Sequence, residues 1–249
     1  MWAGSRGSAP LRAPSTEEEM LMVLPQVVSR DQWLTARREL LATEQQLAPR
    51  HAALVAARRR LPMVRIEKDY VFQGARGPVS LPELFEGCRQ LIVFHLMFDP
   101  TWDDACPSCS AFSGRLHPGV LAAVRASDTA FVAVSRASLA KLRASREWRR
   151  LPFPWYSSFG SDFNYDFHVT LDERVAPVMY NFESKEEILA AGTPIELVVS
   201  ETPVEIVGLS CFIQDNGNIF HTYSVYDRGV EELSQADSLL GLTALGGRV

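Results

Sequence analysis

Two cysteines stand three positions apart in Cys106-Pro107-Ser108-Cys109, and the stretch before them, Leu91 to Phe98, is an almost unbroken apolar run. A short run of this kind fits a strand covered on both faces. After Cys109 the spacing turns helical as far as about Arg125. The dithiol therefore falls where a strand hands over to a helix, behind the approach loop Asp99-Pro100-Thr101-Trp102-Asp103-Asp104-Ala105. Unpaired backbone N–H groups and the helix dipole favour an anion at such a point, so Cys106 is expected to have a lowered pKa and to be the nucleophile. Cys109, one turn further on, is placed to resolve a mixed disulfide. Pro107 fixes the backbone between the thiols, where the first helical turn needs no donor.

The surroundings alternate. Val64 to Phe72 reads as a strand, Gly74 to Gly77 as a turn and Leu81 to Phe85 as a short helix. Beyond the dithiol come a strand Ala130 to Val134, a helix Leu139 to Trp148 and an extended piece near Phe153 to Tyr156. This order implies a mostly parallel sheet covered by helices, with the active site at strand C-termini. A polar, proline-punctuated segment follows from Val175 to Pro203. Next comes a hairpin, Gly208 to Ile213 and Asn218 to Ser224, turning at Asp215, Asn216 and Gly217, and then a last helix, Val230 to Leu240.

Residues 1–26 form a lead whose Gly, Ser, Pro and Arg content cannot offset the cost of ordering. Residues 27–62 read as a helical arm: Ser29 and Gln32 have capping-box spacing, and Trp33, Leu34, Leu40, Leu41 and Leu47 recur at helical intervals. Pro49 is expected to kink or restart this helix. Its apolar stripe needs a cover, so the arm either packs on the main domain or pairs with a second copy, a homodimer being expected if the stripe faces outward. Arg58, Arg59 and Arg60 read as a solvated helix end. The main domain spans 63–242, and 243–249 is a tail.

With 25 basic and 30 acidic residues, the chain lacks the excess positive charge of a nucleic-acid binder or of a protein held to a membrane surface by charge. No apolar run approaches the roughly 18 to 20 residues of a membrane span. Four cysteines are too few for a secreted disulfide scaffold of this size, so a reducing, cytoplasmic setting is expected.

Several segments together resemble one family: Leu61 to Tyr70, the Cys106 segment, Phe153-Pro154-Trp155, Gly160 to Asp166, and His221-Thr222-Tyr223-Ser224. The chain is similar over about Val27 to Leu242 to the thioredoxin-like bacterial proteins of unassigned function labelled predicted dithiol-disulfide isomerases. Those are relatives of the alkyl-hydroperoxide-reductase and thiol-specific-antioxidant group. The resemblance implies an α/β thioredoxin-like fold, a central mixed sheet flanked by helices, with the helical arm added in front. It also implies thiol-disulfide oxidoreduction, with a disulfide-containing protein or a small thiol as partner and no cofactor. Two features depart from related groups. Peroxiredoxins carry Thr or Ser three residues before the attacking Cys and Pro seven before it, where this chain has Asp103 and Asp99. The cis-proline that faces the dithiol in thioredoxins falls near Leu209, beside Gly208.

Other residues admit plainer readings. A non-catalytic binding module with a structural or regulatory dithiol is the main rival. Half of a zinc site is another, but a closed site needs four ligands and no second closely spaced pair exists. Asp162, Asn164, Asp166 and Glu173 mimic calcium-loop spacing, yet Phe167 holds the glycine position, so the stretch reads as a short helix or turn with buried aromatics. His95 reads first as a hydrogen-bonded core residue and second as a group tuning the dithiol; His221 is read likewise. Cys88 and Cys211 read as small buried hydrophobes. Trp102, on the approach loop, is expected to pack beneath the site rather than form a contact surface.

Overall fold

A computed structural model describes residues 25–191, 203–230 and 233–247. The 1–26 lead lies almost wholly outside them, as does the end of the Val175 to Pro203 segment. The chain divides into one unit ending at His51 and a second beginning at Ala52.

The first unit carries most of α1 (Arg30–Arg58). The capping box forms: Ser29 N donates to Gln32 Oε1 at 3.0 Å, and Gln32 N donates to Ser29 Oγ at 3.3 Å. Of the kink or restart expected at Pro49, the restart does not occur. Proline removes one donor, and the helix runs on through it to Arg58. No residue of α1 is buried, and Trp33, Leu40, Leu41 and Leu47 are exposed.

The second unit begins with β1 (Val64–Arg65), β2 (Val71–Gly74), β3 (Gly77–Ser80), α2 (Leu81–Leu84) and β4 (Gln90–His95). It continues through α3 (Pro107–Arg115), α4 (Pro118–Ala126), β5 (Thr129–Ser135), α5 (Leu139–Ala144), β6 (Trp155–Ser157), α6 (Phe163–Asp166) and β7 (Thr170–Leu171). Then come β8 (Met179–Tyr180), β9 (Glu183–Ser184), α7 (Lys185–Ala191), β10 (Val204–Glu205), β11 (Gly208–Asp215), β12 (Asn218–Tyr226), a 3-10 turn (Asp227–Val230) and α8 (Ala236–Leu240).

Eight strands form one sheet in the order β1-β12-β11-β4-β5-β6-β2-β3. The sheet is mixed rather than mostly parallel: β4, β5 and β6 are parallel, and the remaining pairings are antiparallel. Every residue of β4 and β5 is buried, as a strand covered on both faces requires. Alternation sends Ile92, Phe94, Phe131 and Ala133 to one face, where they pack with Cys109 and Phe112 of α3, Val124 of α4, Leu142 of α5 and Leu239 of α8. Leu91, Val93, Val132 and Val134 face the other way, onto Leu81, Leu84, Phe163 and Phe167.

The hairpin of β11 and β12 turns at Asn216 (φ 49°) and Gly217 (φ 77°), as two-residue hairpin loops demand. Its register shifts between Cys211 and Phe212; Thr222 is the extra residue, and its hydroxyl donates to the Cys211 carbonyl at 3.1 Å.

Other boundaries differ from the sequence reading. The strand from Val64 to Phe72 is two short strands. The helix to Arg125 is broken before Pro118, which opens α4, because proline begins helices well and continues them badly. The helix from Leu139 stops at Ala144, where Ser145 turns extended. Of the helix read over Val230 to Leu240, the described residues hold the end of a 3-10 turn at Val230 and the short α8. The Val175 segment contains β8, β9 and α7. The tail is tied down at its start: Thr243 is buried, and Leu245 N donates to Gln90 Oε1 at 2.8 Å. Among the described residues no helix is long and apolar enough to cross a membrane.

Candidate functional site

Cys106 is the N-cap of α3 and Pro107 its first residue, so the dithiol sits at a helix start directly after the central strand. The approach loop is fastened along its length. Trp102 N donates to Asp99 O at 3.0 Å, Lys141 Nζ of α5 donates to Trp102 O at 2.6 Å, and Arg146 Nε reaches Asp104 Oδ2 at 3.1 Å. Cys106 N then donates to Met97 O at 3.0 Å, which holds the first thiol against the end of β4.

Both thiols are free, and their environments differ. Cys106 is half-buried; Cys109 is 1% exposed and packs in the core with Phe94 and Phe112. The Cys106 thiol is lowered to about 5, chiefly by the hydrogen bond from Cys109 and further by Ser108 and by the backbone N–H groups of Cys109 and Ser108; burial opposes this and loses. Ser108 Oγ lies 3.1 Å from the sulfur. The Cys109 thiol is pushed up, first by its bond to Cys106 and then by burial. The pair therefore holds one thiolate and one proton at neutral pH, the arrangement thiol-disulfide exchange uses.

Beside Cys109 opens a groove of about 370 Å³ lined by Met97, Ser108, Phe112, Arg115, Val207 and Asp227, among others. Val207, immediately before β11, shares it with Cys109. Leu209, where sequence counting put the cis-proline place, is fully buried in the core instead.

Trp102 stands elsewhere than expected, whereas His95 is the hydrogen-bonded core residue that was its first reading and not a group tuning the dithiol. Trp102 is 38% exposed and so does not pack beneath the site. His95 lies on the sheet face opposite α3, with its ring against Phe163 and Phe167, so it does not touch the dithiol. Its Nε2 is 2.8 Å from Ser210 Oγ, which bonds Ser224 Oγ at 2.8 Å, which in turn is 2.8 Å from His221 Nε2. Burial lowers His95 to about 3, so it is neutral in the fold. Cys88 and Cys211 are buried. Asp162 and Asp166 both bind Lys68 Nζ, at 2.9 and 2.7 Å, and their stretch is the short α6 with Phe163 buried. Among the described residues no group of three or more His, Cys, Asp or Glu is gathered to hold a metal.

One cluster escaped the sequence reading. Arg136, the residue after β5, ion-pairs with Asp99 of the approach loop and, through Nε at 2.6 Å, with Glu205 Oε1 of β10. An arginine straight after a buried apolar strand, at the sheet end where sites gather, was the available signal.

The strands β5-β4-β11-β12, two parallel and two antiparallel, with a dithiol opening the helix after β4, define a thioredoxin-like protein. Residues 22–249 match the family described as bacterial protein of unknown function (DUF899), and the chain belongs to it. No curated protein matches the chain. Solved structures similar to it include the Xanthomonas campestris bacterioferritin comigratory protein, at 10% identity and TM-score 0.43, covering 72% of this chain and 96% of that one. The peroxidoxin BcpB of Mycobacterium tuberculosis is 14% identical at TM-score 0.42, covering 73% and 94%. BsSco, of the Sco family of cytochrome c oxidase assembly proteins, is 12% identical at TM-score 0.38, covering 69% and 87%. At these identities and scores none of them bears on what this chain does.

Proposed function

We propose that the protein is a thiol-disulfide oxidoreductase working through Cys106 and Cys109. The Cys106 thiolate attacks one sulfur of a substrate disulfide; the other sulfur leaves as a thiolate, and a mixed disulfide forms. With the Cys106 charge consumed, the hydrogen bond that holds up the Cys109 thiol is gone. Cys109 then gives up its proton to the substrate thiolate released in the first step and attacks the Cys106 sulfur, breaking the mixed disulfide and expelling the second substrate sulfur as a thiolate. The substrate departs reduced by two electrons, and Cys106 and Cys109 are left joined. A thiol or dithiol reductant restores the pair by the reverse exchange. A disulfide-containing protein or a small thiol is the partner this chemistry takes.

The observation that carries the reading is the placing of the pair: a half-buried Cys106 at the N-cap of α3, 3.1 Å from Ser108 Oγ, and a buried Cys109 one turn on, an arrangement that lowers the Cys106 thiol to about 5 and pushes the Cys109 thiol up. A purely structural dithiol has no need of a stabilised thiolate. The test is reduction of insulin with an added reductant by the unmutated protein and by Cys106→Ser. Turnover that the substitution abolishes supports the reading. Absence of turnover with any disulfide favours a non-catalytic binding module whose dithiol is structural or regulatory.

A further inference from the structure

In the Asp99–Arg136–Glu205 triad both carboxylates are buried and the arginine is largely so, with side chains 7%, 14% and 2% exposed in that order. Two carboxylates share one guanidinium there. Asp99 Oδ1 also accepts from Thr101 N at 2.7 Å and from Thr101 Oγ1 at 2.6 Å, while both Glu205 oxygens take the Thr170 hydroxyl at 3.1 Å. Burial pushes the Glu205 carboxyl up, against the pull of Arg136. Desolvating three charges is a poor route to stability, since apolar residues of similar size do as well or better. What the triad does supply is geometry. The planar guanidinium offers donors in a fixed fork, and this one grips two separate strips of chain.

Those strips flank the dithiol. Asp99 belongs to the loop that delivers Cys106. Glu205 lies two residues before Val207, which shares the groove with Cys109 and is itself held by the bond from Asp227 N to Val207 O at 2.9 Å. Arg136 touches neither thiol.

We infer that Arg136 is a positioning residue which ties the loop delivering Cys106 to the strip leading into Val207, the groove wall beside Cys109, so that a disulfide substrate held by that wall is presented to the dithiol. This deepens the oxidoreductase reading and rests on it. A small alkylating reagent needs only the thiolate, whereas a protein disulfide needs the wall as well. Lysine at this position keeps the charge but gathers its donors on one atom, without the planar fork that fixes the spacing of the two strips.

The test compares the unmutated full chain with Arg136→Lys in two reactions: alkylation of Cys106 by iodoacetamide, and insulin reduction resolved into kcat and KM. The expected result is alkylation within about twofold of the unmutated rate, with kcat/KM for insulin lower by about tenfold or more, since a misplacement of an ångström costs rates of that order or larger. Undiminished insulin reduction with only a lower melting temperature overturns the inference, as does an equal fall in both reactions. If the unmutated protein is alkylated readily but reduces no disulfide, the oxidoreductase reading itself fails, a result distinct from either. Should Arg136→Lys not fold, Arg136→Met combined with Asp99→Asn and Glu205→Gln removes every charge of the triad and carries the same comparison.

Discussion

The Cys109 thiol, buried one turn beyond Cys106 in α3, is the donor that contributes most to keeping Cys106 a thiolate. A hydrogen bond to a charged group is worth about 1.5 to 3 kcal/mol, and one pKa unit about 1.4 kcal/mol. Cys109→Ala should therefore raise the Cys106 pKa by about one to two units. Cys109→Ser keeps a donor and should raise it less. The pH dependence of alkylation measures both, and an unchanged Cys106 in the alanine variant would contradict the assignment.

Mild oxidation should join Cys106 to Cys109, since thiols one turn apart at a helix start can reach disulfide geometry. Cys88 and Cys211 should stay reduced. Both are buried, and burial pushes their thiols up, Cys211 to about 12. Peptide mass mapping reads the outcome directly; a link from Cys106 to Cys88 or Cys211 would refute it.

Stability should fall with acid in a way that His95 marks. Burial sets its pKa near 3 in the fold, against about 6.5 when the chain is unfolded. The unfolded state takes the proton first, so this contribution is complete above pH 6.5 and is lost as pH falls toward 3, at up to about 1.4 kcal/mol per pH unit. His221 and His168, also lowered by burial, act in the same sense. Urea denaturation between pH 7 and 4 should show a shallower slope for His95→Gln, by about one proton. Parallel curves would mean that His95 takes no part.

Phe94 is fully buried, and its ring lies 4.9 Å from that of Phe112 in α3, so it seats the dithiol helix on the sheet. Phe94→Ala should cost about 3 to 5 kcal/mol. Val64→Ala, at an exposed position, should stay within about 0.5 kcal/mol. Chemical denaturation of both variants decides it, and similar losses would mean that the core is drawn wrongly.

The central strands and the dithiol helix were legible in the sequence because their signals are local. Leu91 to Phe98 is apolar but for His95, Cys106-Pro107 is a helix start, and Asn216-Gly217 is a hairpin turn. Boundaries failed where a local rule met a competing one. The restart at Pro49 was overruled by the helix on either side of it. Pro118 divided a helix that periodicity alone would have carried through. Trp102 is expected to pack because aromatics usually bury, yet it is exposed, and the anchoring of its loop by Lys141 on the Trp102 carbonyl has no sequence signature.

What the sequence by itself determined is the chemistry of neighbours along the chain: a strand, a loop, and two thiols at a helix start where unpaired N–H groups favour the thiolate. Tertiary structure alone decided which distant residues serve that site. Strand alternation separates His95 from Phe94, but only the packing of α3 on the Phe94 face puts His95 on the far side of the sheet. Arg136 stands 37 residues from Asp99 and 69 from Glu205, and nothing in the spacing foretells that one guanidinium would bind both. Such contacts depend on how the strands are ordered in the sheet, and that order follows from the packing of the whole domain rather than from any short stretch of it.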